Sequence, residues 1–131
     1  MTEPERTDGR LQENELKVEH DGGVEIVLMP GEHDLTTAAS LNDRLAALVD
    51  GGSPVVIDLS QTSFIDSSIL RVLLEARRLA HEAGIGFDVA AGDGTGEGVT
   101  RVLSVTGLDS TLPVFSSRED AVKKASSGPG A

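Results

Sequence analysis

The sequence has no cysteine, no tryptophan and no tyrosine, and its aromatic side chains are only Phe64, Phe87 and Phe115. Without cysteine there is no disulfide, no thiolate metal site, no sulfur nucleophile and no mark of an oxidising compartment. Basic residues are also scarce. Lys and Arg number 11 against 22 Asp and Glu, a formal net charge of −11. Such a chain repels a phosphate backbone, carries no basic stripe and has little with which to stack on bases, so no nucleic acid partner is expected. No apolar run approaches the roughly 20 residues that span a bilayer. The opening stretch MTEPERTDGRLQENELK lacks the apolar centre of a secretory signal. The expectation is a cytoplasmic protein without a membrane partner.

The remainder reads as one domain. Its 131 residues fit a single unit, and 38% apolar content supplies one modest core. Residues 1–15 are charged and aperiodic, and are expected to form a disordered acidic tail. Residues 126–131 (SSGPGA) are rich in Gly, Ser and Pro and are expected to be a second disordered tail. The folded domain is then 16–125. Met1–Asp21 holds seven acids and three bases, Gly22–Gly107 twelve and five, and Leu108–Ala131 three and three. The negative charge therefore belongs to the domain and the first tail.

Strand-like and helix-like patterns alternate between the tails. Leu16–Glu19 and the run Val24–Met29 flank a turn at Asp21-Gly22-Gly23, which suggests a hairpin. Ala38, Leu41, Leu45 and Leu48 recur at helical spacing until Gly51-Gly52. Val55–Leu59 is a short apolar run typical of a buried strand. The strongest helical stripe is Ile69, Val72, Leu73, Ala76, Leu79, Ala80 and Ala83, with Arg71, Glu75, Arg78 and Glu82 opposite. A strand over Ile85–Ala90, a helix over Val99–Val105, a small strand over Pro113–Phe115 and a helix over Arg118–Ala125 come next. Strands alternating with helices imply a mainly parallel sheet, with the hairpin adding an antiparallel edge strand. The fold class is α/β: a mixed, mostly parallel sheet of four to five strands with about four helices.

Chemistry concentrates in two stretches. Phe64-Ile65-Asp66-Ser67-Ser68-Ile69 lies where a buried strand passes into the strongest helix, so Asp66 or Ser67 is a natural N-cap. Ser68 precedes Arg71, Glu75, Arg78 and Glu82 at offsets of three, seven, ten and fourteen and so shares their solvent face. Ser67 precedes Leu70 and Leu74, at the margin of the apolar face. Helical phase thus makes Ser68 the more exposed hydroxyl, beside N–H groups and a dipole that tolerate a phosphoryl group. Gly31-Glu32-His33-Asp34 precedes the other long helix, with Asp34 a natural N-cap. Loops that come after parallel strands gather at one edge, which brings Asp34 near Asp66 and Ser68.

Other features yield bland readings. Gly92-Asp93-Gly94-Thr95-Gly96-Glu97-Gly98 fails the Gly-x-Gly-x-x-Gly pattern, lacks a subsequent Lys-Ser/Thr and carries two acids, so it reads as a flexible loop. Asp58 ends a strand as a receiver-type phosphoacceptor would. The accompanying acidic pair and lysine are missing, which leaves it a structural turn residue. His20, His33 and His81 show no ligand spacing, so no metal is expected. Arg118, Lys123 and Lys124 read as a solvated helix face. No nucleophile–base pair appears, so no catalytic residue, cofactor or enzymatic activity is expected.

Three motifs in order, Gly31-Glu32-x-Asp34, Phe64-x-Asp66-Ser67-Ser68 and Val99-x-Arg101-Val102-Leu103-x-x-Thr106-Gly107-Leu108, resemble the STAS domain, and in particular bacterial anti-sigma-factor antagonists. The likeness spans about Leu16 to Ala125. It implies a binding module rather than an enzyme. An anti-sigma factor with serine kinase activity, using ATP, is captured so that a sigma factor is freed; phosphorylation breaks the complex and a serine phosphatase restores it. The resemblance places the phosphoacceptor on Ser68, the hydroxyl that helical phase selects independently. It places a partner-binding acid on Asp34. Glu32, Asp34, Asp66, Ser67, Ser68, Ile69 and Arg71 form the expected partner surface of a monomer or weak dimer. The family's glycine after the two serines is Ile69 here, which either packs inward or narrows access to Ser68. Two other readings stand beside this one. The first is a STAS accessory or scaffold subunit of a stressosome-like or lipid-transport complex without direct sigma control. The second is an enzyme that binds a divalent metal through Asp34 and Asp66.

Overall fold

Gly22 and Gly23 both adopt positive φ, +57° and +87°, which lets the chain reverse in a tight hairpin. The hairpin joins β1 (Lys17–Asp21) to β2 (Val24–Leu28), paired antiparallel along their length. In this computed structural model, which describes residues 15–105, 112 and 114–129, the further strands β4 (Val55–Asp58), β6 (Phe87–Ala90) and β7 (Val114–Phe115) add in parallel. The sheet order is β1-β2-β4-β6-β7, with the antiparallel strand at the edge, as the alternation of elements implies. Four helices accompany it among the described residues: α1 (Leu35–Asp50), α2 (Ser67–Glu82), α3 (Glu97–Val105) and α4 (Arg118–Ser126).

Both faces of the sheet are covered, which explains why its central strands read as continuous apolar runs. On one face Val27, Val55, Ile57, Phe87 and Val89 meet Leu41, Leu45 and Val49 of α1 and Ile69, Leu73, Ala76 and Ala80 of α2. On the other, Val24, Ile26, Leu28, Val56 and Ala90 meet Ala121 and Ala125 of α4. The residues of each strand alternate between these two cores.

Two short strands add to the sequence reading. β3 (Gly31–His33) and β5 (Thr62–Ile65) pair in parallel, with Glu32 opposite Phe64 and His33 opposite Ile65. They carry no apolar run, because only His33, Thr62 and Ile65 turn inward. Their pairing continues that of β2 and β4 past a bend, where the Thr62 hydroxyl donates to the Met29 carbonyl at 2.6 Å and the Gly31 N–H to the Gln61 carbonyl at 3.0 Å. This small ladder sets the starts of α1 and α2 side by side.

Two expectations need correction. The glycine loop is held, not loose: Thr95 Oγ1 donates to the Leu59 carbonyl at 2.7 Å and the Gly96 N–H to the Thr62 carbonyl at 2.9 Å. A Cβ on Gly94 or Gly96 would lie 2.4 Å from Ser60 O or 2.6 Å from Ser63 O, so glycine is what permits this backbone approach. Arg118, read as solvated, instead donates from Nε to buried Asp58 and from Nη1 to Glu19, each at 2.8 Å. Burial pushes the Asp58 carboxyl up, but the Ser60 and Arg118 donors outweigh it and hold the group below its ordinary value. Asp58 is the structural residue expected, joining β4, α4 and β1. The first tail through residue 14, Thr106-Gly107-Leu108, Pro113 and residues 130–131 lie outside the described residues. At the other end α4 continues through Ser126.

Candidate functional site

The β3–β5 pairing places two strand-to-helix corners together, built on the same plan. In each, a strand ends, an aspartate in extended conformation caps the next helix, and a hydroxyl two residues on returns to that aspartate. Asp34 caps α1, accepting from Thr36 N at 2.9 Å and Thr36 Oγ1 at 2.6 Å. Asp66 caps α2, accepting from Ser68 N at 3.0 Å, Ile69 N at 3.2 Å and the Ser68 hydroxyl. Each satisfies helix N–H groups that have no intrahelical partner.

The corners also interact. The Leu35 N–H is directed at the Asp66 carboxylate, and the Asp66 charge is felt at Asp34. The Thr36 hydroxyl and amide hold the Asp34 carboxyl below its ordinary value, and the Ser68 hydroxyl foremost does the same for Asp66. Both are therefore ionised at neutral pH, at close quarters. Behind Asp34, His33 is fully buried, and Nε2 donates to the Pro30 carbonyl at 2.9 Å. Desolvation lowers its pKa, so it is a neutral core histidine. Among the described residues, no three His, Asp or Glu side chains converge as metal ligands.

The structure brings Glu32, Asp34, Asp66, Ser67 and Ser68 to one corner and leaves Arg71 exposed one turn along α2. Exposure of the serines reverses the sequence reading. Ser67 is exposed, and Ser68 is half-buried with its hydroxyl and its amide both engaged by Asp66. Helical phase treats α2 as a cylinder on one core, but α2 also packs against α1, and Leu79 lines a shallow groove between the two helices with Ala46, Ala47 and Val49. Ile69, expected on the partner surface, is 0% exposed and supports that surface from beneath. Arg78 pairs with Glu75 and Glu82 on the solvent face, as the spacing suggests. Two residues were missed by sequence reasoning. Leu35 is 73% exposed and Phe64 44% exposed, the exposed large apolar side chains of the described residues. Leu35 lies out of phase with Ala38, Leu41 and Leu45, a signal that was available.

The STAS domain pattern matches residues 15–121 of this chain. The protein belongs to the STAS domain family. It is similar to the anti-sigma-F factor antagonist RsfB of Mycobacterium tuberculosis, 32% identical over 108 residues that cover 82% of this chain and 85% of RsfB. Among solved structures it resembles an anti-sigma factor antagonist from Mycobacterium paratuberculosis at 33% identity and TM-score 0.75, over 86% of this chain and 93% of the other. The unphosphorylated form of the anti-sigma factor antagonist SpoIIAA, only 13% identical, shares the fold at TM-score 0.62 over 83% and 94% of the two chains.

Proposed function

We propose that this STAS protein is an anti-sigma-factor antagonist. It captures an anti-sigma factor with serine kinase activity, so that a sigma factor is released. Phosphorylation of Ser68 ends the capture, and a serine phosphatase restores it. The observation that carries this reading is the paired corner itself: two ionised aspartates side by side, one of them bonded to Ser68, in a chain about one-third identical to RsfB. The corner sets the Ser68 hydroxyl against the Asp66 carboxylate at the protein surface. Its chemistry is that of a charged surface with one modifiable hydroxyl.

The geometry gives phosphorylation a definite effect. The Ser68 hydroxyl donates a hydrogen bond to Asp66; once the γ-phosphoryl group of ATP is joined to Oγ, with ADP as the leaving group and the hydroxyl proton released to solvent, that donor is gone. In its place stand about 1.5 to 2 further negative charges beside Asp66 and Asp34. A partner closing over the corner would have to desolvate that dianion, and each 1.4 kcal/mol so lost is about tenfold in affinity. Ile69 does not obstruct the hydroxyl, since its side chain is in the core. The kinase has instead to draw a half-buried hydroxyl away from Asp66.

Incubation with the anti-sigma kinase and ATP, followed by peptide mass spectrometry, should place phosphate on Ser68, and Ser68→Glu should lose partner binding. Label on Ser67 alone, or full binding by Ser68→Glu, overturns the switch.

A further inference from the structure

We propose that Leu35 and Phe64 are the apolar anchors of the partner-binding surface, and that the surface they meet is an apolar patch edged by Arg or Lys on the anti-sigma factor. The proposal rests on the antagonist reading above and gives a role to Leu35, which lies outside the three motifs, and to Phe64, which opens one of them without a role of its own.

Glu32 and Phe64 are direct partners in a parallel pair, so both side chains lie on the outer face of the β3–β5 ladder, while the next pair, His33 and Ile65, points inward. One residue further, Asp34 and Asp66 leave the strands together and cap their helices. Leu35 comes next, its amide turned to Asp66. The outer face therefore reads Glu32 beside Phe64, then Asp34 beside Asp66, then Leu35. Apolar side chains stand at both ends of an acidic rank. Leu35, 73% exposed, lies outside the core and leaves its side chain open to a partner, and Phe64, 44% exposed, adds an aromatic of the kind that concentrates at the centre of interfaces.

Charge decides the occupant. A second copy meeting this face about a two-fold axis would set Glu32, Asp34 and Asp66 against themselves, three acids against three. Nucleic acid and anionic lipid are repelled for the same reason. On the far side of Asp34, a groove of about 570 Å³ is bordered by Glu15, Glu32, Asp34, Thr36 and Ser40, with Arg44 also on its lining; its three acids outnumber that one cation and would receive a further guanidinium or ammonium group. The occupant that satisfies both features is a protein surface pairing cations with apolar side chains.

The test measures binding of the full chain to the anti-sigma factors of its source organism, with the anti-sigma-F factor of Mycobacterium tuberculosis included. Leu35→Ala and Phe64→Ala should each weaken binding about tenfold or more, chiefly through faster dissociation, while Phe64→Leu retains most of the affinity. Asp34→Asn should instead slow association and flatten its salt dependence. Circular dichroism of each variant should match the parent, and Leu35→Glu, which adds charge at an exposed position, provides a second variant in which folding is not at issue. Affinities of both alanine variants within about twofold of the parent, beside a parent that binds, overturn the anchors and leave the antagonist reading standing. A parent that binds no anti-sigma factor overturns both. A dimer in sedimentation that Phe64→Ala dissolves makes a second copy the occupant and overturns the proposal.

Discussion

The two corners at the end of the β3–β5 ladder share a plan and differ in the residues just after the capping aspartate. After Asp34 the chain turns Leu35 and Thr36 out to solvent, and the first buried residue of α1 is Ala38. After Asp66 only Ser67 is out: Ser68 is half-buried, and Ile69 and Leu70 are already in the core. The cap is the same, but α2 enters the core sooner after its cap than α1 does. One corner presents side chains, and the other fixes its hydroxyl against a rigid support. Under the function proposed above, recognition and switching fall to different corners.

The contrast is tested most severely by the same aliphatic truncation at each corner. Ile69→Ala should cost about 2–5 kcal/mol in urea denaturation, the range for a fully buried aliphatic side chain. Leu35→Ala should leave the urea midpoint nearly unchanged and act on binding alone. Equal stability losses would mean that both corners are structural.

Removing the caps gives a smaller contrast. Asp66→Ala withdraws an acceptor from two α2 amides, the Ser68 hydroxyl and the Leu35 amide, and should cost about 1 kcal/mol by thermal or urea unfolding. Asp34→Ala withdraws an acceptor from Thr36 alone and should lower the midpoint less. The reverse order would show that α1 depends more on its cap.

The smallest effect concerns pH. His33 has a folded pKa below its ordinary value of 6.5, so the unfolded chain binds more protons there. Its contribution to stability is complete above pH 6.5 and is lost as pH falls through 6.5 toward the folded value. His33→Gln retains a donor toward the Pro30 carbonyl and removes the titration, so stability measured from pH 7 to 5 should fall less steeply than in the parent. An unchanged slope would assign the loss to other groups. The Asp66 corner has no counterpart, because Ile65 occupies the position paired with His33.

Much of this arrangement was legible in the residues. The apolar runs of β2, β4 and β6 and the stripes of α1 and α2 announced the sheet and its helices, because burial on both faces of a parallel sheet leaves little freedom in residue type. Asp34 and Asp66 were readable as caps, since a carboxylate before an apolar period satisfies open amides. β3 and β5 were not readable: strands of three and four residues held by neighbours in space carry no period of their own. The relative exposure of Ser67 and Ser68 was misread for a related reason. One helix has one phase, but α2 packs against both the sheet and α1.

Residue type and spacing along the chain were enough to specify the α/β class, the acidity and the two capped helix starts. Three further facts came from the assembled fold alone: β3 pairs with β5, Ser68 is less exposed than Ser67, and Phe64 lies on the outer face of the ladder. Each depends on which strands pair and which helices touch. They arise from contacts between segments some thirty residues apart, such as the 33 between Met29 and Thr62, and no local pattern encodes them.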